Sequence, residues 1–223
     1  MQVQAQYGLL KAVSKAAVAV WFACAAVAQA PETQILALGD SLTQGYGLIE
    51  DEGFVPQLRS WLAERGHDVR LINGGVSGDT TAGGLARVEW SLTPGVEAMI
   101  VALGGNDLLR GLPPEAARAN IKGILEVAKA QGVKVLLVGL YAPGNYGAEY
   151  KRAFDALYPE LAKEYDTLYF PDFFEGLRQA GATASNNRAF MQGDAIHPNA
   201  KGVQEIVSAI GPAVEELIAR AED

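Results

Sequence analysis

Four short stretches hold residue types that together could run nucleophilic acyl transfer. The first is QILALGDSLTQGYG at 34–47, in which a mostly apolar run stops at Gly39-Asp40-Ser41. In open α/β sheets the loops at the carboxyl ends of the strands form the ligand crevice. Ser41 would sit on the floor of that crevice as a nucleophile. Read alone it is also an ordinary helix N-cap or turn serine. A serine nucleophile needs a base, a carboxylate to orient that base, and donors for the developing oxyanion. Histidine suits the base because it titrates near working pH. The chain has two histidines. His67 falls in the turn Arg65-Gly66-His67-Asp68, at the amino end of the sheet, and reads as a solvated turn residue.

That leaves His197, three residues after Asp194 in Gly193-Asp-Ala-Ile-His-Pro198. At this spacing Asp194 can fold back to accept the Nδ1 proton and leave Nε2 facing Ser41. The alternative is that Asp194 and His197 cap the last helix. For the oxyanion, Gly78 follows the second strand and Asn106 the third. A backbone N–H and a carboxamide can both donate to one point. Each also has a turn-forming reading.

The elements that must position these residues alternate between two hydrophobic periods. Phe54, Val55, Leu58, Trp61 and Leu62 mark one face of a helix. Helices are also expected over 80–92, from Pro113 to about Gln131, over 151–164 and 173–179, and from about Ala200 to Ala219. Short apolar strands are expected at 34–38, 69–72, 98–103, 133–140 and 167–170. Alternation of this kind predicts an α/β fold: a three-layer α/β/α sandwich, flavodoxin-like, around five parallel strands. With 223 residues, 49% of them hydrophobic, one domain can bury a sizeable core. Trp61 and Trp90 fall on helix faces that would suit a core or an interface equally.

The first thirty residues differ from the rest. Lys11 and Lys15 precede the apolar run 16–27, and no acidic residue comes before Glu32. This is the pattern of a secretory signal peptide, with Ala26-Val27-Ala28 as its cleavage signal. Residues 1–28 are therefore expected to be a leader and 29–223 the working domain, exported to the periplasm or beyond. The apolar run is short for a membrane span, so no stable membrane anchor is expected once it leaves. The one cysteine, Cys24, lies in the leader, and Trp21-Phe22 before it are unlike a lipoprotein signal. The mature chain then has no disulfide, thiol nucleophile or cysteine metal site.

Net charge is −8, and without the leader 16 basic residues face 26 acidic ones, a net −10. Such a surface repels nucleic acid and anionic membranes. There is no G-x-S-x-G elbow, phosphate-binding loop or dinucleotide loop. Two distant histidines do not build a metal site. A cofactor-free reaction is expected.

GDSLT at 39–43, NGGVSGDTT at 73–81, GGND at 104–107 and DAIHP at 194–198 occur in one order. In this the chain resembles the SGNH (GDSL) hydrolases, in particular the bacterial thioesterase I, lysophospholipase L1 and arylesterase group. The resemblance continues through 142–147 and covers nearly all of 34–219. It implies Ser41 as nucleophile, His197 as general base and Asp194 as its orienting carboxylate. The oxyanion hole would be the Ser41 and Gly78 amides with the Asn106 side chain. It also implies hydrolysis of aryl and short-to-medium acyl esters, lysophospholipids or acyl thioesters. Alternatives are a carbohydrate O-acetylesterase or an acyltransferase of the same family, or a flavodoxin-like binding domain without chemistry. Loop position assigns the acyl group to Leu108, Leu109, Ala142 and Tyr146. The expected partner is a small ester or lipid; oligomeric state is not legible.

Overall fold

β1 (Thr33–Gly39) is an apolar run that stays buried for nearly its whole length, and it lies inside the sheet, second from one edge. Its neighbours are β2 (Val69–Gly75) and β3 (Val96–Ala102), both parallel to it. β4 (Lys134–Val138) and β5 (Leu168–Phe170) extend the β3 side, giving the order β2-β1-β3-β4-β5. A parallel sheet buries both faces, which is why β3 and β4 read as almost unbroken apolar runs. The computed structural model describes residues 33–183 and 186–222. The expected leader, its cleavage signal and Cys24 lie outside those residues.

Helices cover the two faces. On one, α3 (Thr81–Ser91), α5 (Pro114–Ala130) and α6 (Ala148–Tyr165) lie side by side. On the other, α8 (Ala200–Glu222) packs against α2 (Phe54–Ala63), against α7 (Glu175–Gln179) and across β3, β4 and β5. Two short helices, α1 (Ser41–Gln44) and α4 (Gly105–Leu109), begin where β1 and β3 end. The expected three-layer, flavodoxin-like α/β fold is the one observed.

Some expected boundaries shift. β2 continues three residues beyond Ile72, because Gly74 and Gly75 stay paired with Leu38 and Gly39 of β1. A side chain at Gly75 would collide with the backbone of α1, so the strand can only run on here as glycine. α6 begins at Ala148, ahead of the helix expected over 151–164. His67 is not a free turn residue: its Nε2 lies 3.0 Å from Glu215 Oε1 on α8. Trp61 packs against Gly211 of α8, whereas Trp90 is exposed.

The start of α8 holds the loop that carries His197. Asn199 caps it, accepting from the Gly202 amide at 3.0 Å, while its own carboxamide reaches the Ala189 and Met191 carbonyls. Gly202 lies so close to the loop that an added Cβ would stand 2.0 Å from the Phe190 carbonyl oxygen. Backbone cannot yield as a side-chain tip can. Gly202→Ala should therefore destabilise the fold by about 1–3 kcal/mol, the usual range for overpacking. Urea unfolding of the two proteins measures this.

Candidate active site

Asp40 ends the turn after β1. Its Oδ1 accepts from the Leu42 amide at 3.0 Å, so Asp40, not Ser41, caps α1. Ser41 becomes the first helical residue, its hydroxyl free of cap duty and its amide at the electropositive end of a short helix. Ser41 Oγ lies 2.9 Å from His197 Nε2, and His197 Nδ1 lies 2.6 Å from Asp194 Oδ2. Asp194 Oδ1 accepts from the Ile196 and His197 amides, both at 3.0 Å. The capping alternative for Asp194 and His197 is thereby resolved, since Asn199 caps α8.

The hydrogen bond from His197, then the two amides, hold the Asp194 carboxyl down at about 2. It is ionised at working pH and can only accept. The imidazole must then donate from Nδ1, which leaves the Nε2 lone pair to receive the serine proton. Tyr46 lies against the imidazole with ring centroids 4.7 Å apart. Gln192 Nε2 donates to the Tyr46 carbonyl at 2.8 Å and to the Pro198 carbonyl at 3.0 Å, tying the histidine loop to the serine loop.

Asn106 is carried on α4, and its Nδ2 donates to Asp40 Oδ2 at 3.3 Å. Asn106 and Ser41 line the same cleft of about 390 Å³. Gly78 lies off the walls of that cleft, at φ +86°, and its carbonyl accepts from Arg110 at 2.8 Å. The next residue, Asp79, pairs with Arg87 at 2.7 Å, and Arg87 also donates to the Gly39 carbonyl at 2.8 Å. One buried arginine thus braces the Gly78 loop against the end of β1. On the other side Asp107 accepts from both the amide (2.8 Å) and the hydroxyl (2.6 Å) of Thr81, fixing α4 to the start of α3. Asp40, Asp79, Arg87 and Asp107 were not singled out from sequence. The only signal was an acid beside each expected functional residue.

Of the four residues assigned to the acyl group, Leu108, Leu109 and Tyr146 line the cleft, but Ala142 does not. It is buried, its amide donating to Asp155 and its carbonyl accepting from Lys151, each at 2.7 Å. These two α6 side chains turn the 142 peptide inward and leave its neighbours Tyr141 and Pro143 facing the cleft.

Burial pushes the Asp40 carboxyl up to about 6, although the Leu42 amide, Asn106 and His197 all favour its charge. Between the unfolded value of 3.8 and about 6 the folded chain binds this proton more tightly. Stability from Asp40 is thus full below the unfolded pKa and falls as pH rises through the folded one. The difference is on the order of 2–3 kcal/mol. Asp40→Asn should flatten that fall, so the gap between mutant and wild-type unfolding free energies changes in the mutant's favour from pH 4 to pH 7. Urea titrations at the two pH values check it; a gap independent of pH would exclude this role for Asp40.

Residues 37–205 match the GDSL-like lipase/acylhydrolase family. The chain is 37% identical to esterase TesA of Pseudomonas aeruginosa over 191 residues, 85% of this chain and 92% of that protein. It is 34% identical to thioesterase 1/protease 1/lysophospholipase L1 of Escherichia coli K12 over 186 residues, 82% and 84% of the two chains. Among solved structures, AlinE4, an SGNH-hydrolase family esterase, is 45% identical with a TM-score of 0.68, covering 84% of this chain and 97% of its own. With a serine, an imidazole and a carboxylate joined in series at the carboxyl edge of its sheet, this chain belongs to the SGNH (GDSL) hydrolase family and is a carboxylic ester hydrolase.

Proposed function

We propose that the enzyme is an exported serine esterase acting on aryl and short-to-medium acyl esters and lysophospholipids. The observation that carries this reading is the Ser41–His197–Asp194 series opening onto a largely apolar cleft. His197 takes the Ser41 proton as the oxygen attacks the ester carbonyl. The oxyanion rests on the Ser41 and Gly78 amides and the Asn106 carboxamide. His197 then protonates the departing alcohol, and water, activated the same way, releases the acid from the acyl-enzyme. No cofactor enters these steps.

A cleft of about 390 Å³ is near the small end of ligand sites. That favours short and medium acyl groups over long ones. An acidic chain with no basic cluster has little to hold the phosphates of acyl-CoA, which places thioesters of that kind behind oxygen esters. Export rests on the basic and apolar pattern of residues 1–28.

The test is hydrolysis of p-nitrophenyl esters from acetyl to palmitoyl by protein lacking residues 1–28. Activity should peak at short or medium chains and vanish in Ser41→Ala. Retained activity in that variant would remove Ser41 as nucleophile. Leu109 is 59% exposed at the cleft wall. Leu109→Glu should therefore lower kcat/KM for octanoyl esters by about tenfold while hardly touching acetyl esters, as expected when a charge borders an apolar chain. Equal losses on both would remove Leu109 from the acyl site.

A further inference from the structure

The cleft changes character away from Ser41. Leu108, Leu140 and Phe174 give it apolar walls, but Asp172 and Arg178 line it too. Asp172 follows β5, whereas Ser41 follows β1, and β3 and β4 lie between them in the sheet. Three strand spacings of about 4.8 Å separate the two strand ends by roughly 14 Å. His197 does not line this cleft, while Ser41 and Asn106 do. Because His197 must hand its proton to the alcohol, the alcohol leaves on the histidine side. The cleft is the acyl side.

Asp172 is a poor end for a plain hydrocarbon pocket. It is 2% exposed, and its Oδ2 is bonded by Arg178, which also bonds Glu175. Its Oδ1 is buried and has no partner at hydrogen-bond geometry. Burial pushes the carboxyl's pKa up, opposed by Arg178 and by the Phe174 and Tyr141 amides. An unmet carboxylate oxygen is costly, and a methylene chain laid against it leaves it unmet. Arg178 has five N–H groups to offer, and its side chain is 44% exposed beside the half-exposed Tyr141 ring. It can turn aside and still donate.

We propose that Asp172 and Arg178 form a polar subsite at the end of the acyl cleft, which takes a hydroxyl group carried on the acyl chain. The hydroxyl donates to Asp172 Oδ1 and accepts from the Arg178 guanidinium. The preferred substrates are then esters of hydroxy acids whose hydroxyl stands several carbons from the carbonyl. This rests on the esterase reading above and refines it.

The test compares ethyl hexanoate, octanoate and decanoate with their omega-hydroxy counterparts, using wild type, Asp172→Leu and Asp172→Asn. Wild type should favour the hydroxy ester at one length by about tenfold or more in kcat/KM, the scale of a hydrogen bond to a charged group. Asp172→Leu should bring that ratio to one or invert it; Asp172→Asn, which keeps an acceptor, should retain part of it. A wild-type ratio near one at every length, with plain esters still turned over through Ser41, overturns the subsite and spares the esterase reading. Should the leucine variant not fold, the wild-type and asparagine ratios decide alone. Turnover of neither series would instead remove the esterase reading. The subsite is then judged by calorimetry, where wild type must bind free omega-hydroxy acids more tightly than plain ones.

Discussion

The imidazole of His197 has to meet two oxygen partners at once, and most of the local structure serves that demand. Asp194 is three residues away and needs only a tight loop, which its own two amide contacts close. Ser41 is 156 residues away and belongs to another part of the sheet. Holding the two loops together falls to Gln192, to the Tyr46 ring and to bare backbone at Gly47, where a Cβ would strike the Gln192 side chain. A shift of a few tenths of an ångström in this seam lengthens the serine–histidine bond directly. The exposed tyrosine on the imidazole is therefore part of the seam, not a stray surface aromatic.

Behind that seam the site is braced by acids, of which Asp40 and Asp107 are buried and Asp79 half-buried. Asp40 caps α1 and meets Asn106; Asp79 holds Arg87 against the end of β1; Asp107 ties α4 to α3. Each is attached to a segment carrying a reacting group or donor. Apolar packing alone could hold these loops near the sheet, but it is non-directional and tolerates small slides. Hydrogen bonds with fixed donors and acceptors do not. The cost is visible at Asp40, whose burial works against its charge. Perturbed carboxyls of this sort gather where a fold gives up stability for geometry.

The layers were legible because they depend on local sequence, and the catalytic series because four short motifs stand in the order that the SGNH (GDSL) hydrolases share. Apolar runs of strand length and helical stripes such as 54/55/58/61/62 report burial directly. Asp194 and His197 report each other through their spacing. What was not legible depends on which way a peptide faces. Ala142 looked like a small pocket residue, yet Asp155 and Lys151 turn it into the interior. β2 ran on past Ile72 because two glycines let α1 lie against the strand, which no strand propensity encodes. His67 found Glu215, which lies 148 residues further along the chain. Such pairings between distant residues on exposed faces leave no periodic trace.

The same distinction separates chemistry from selectivity in this fold. The reacting groups sit at the ends of the central strands β1 and β3 and on a loop docked to them, where surrounding backbone leaves little freedom. The acyl side is bounded by the Tyr141–Tyr146 loop and by the approach to α7, which join the sheet near its β5 edge. β5 is only three residues long and pairs on one side alone. Substitutions there disturb fewer contacts than any at β1, so the end of the cleft can change polarity while the serine, histidine and asparagine keep their places. An acid and an arginine at that end, where hydrocarbon walls would otherwise continue, fit a position free to follow the substrate.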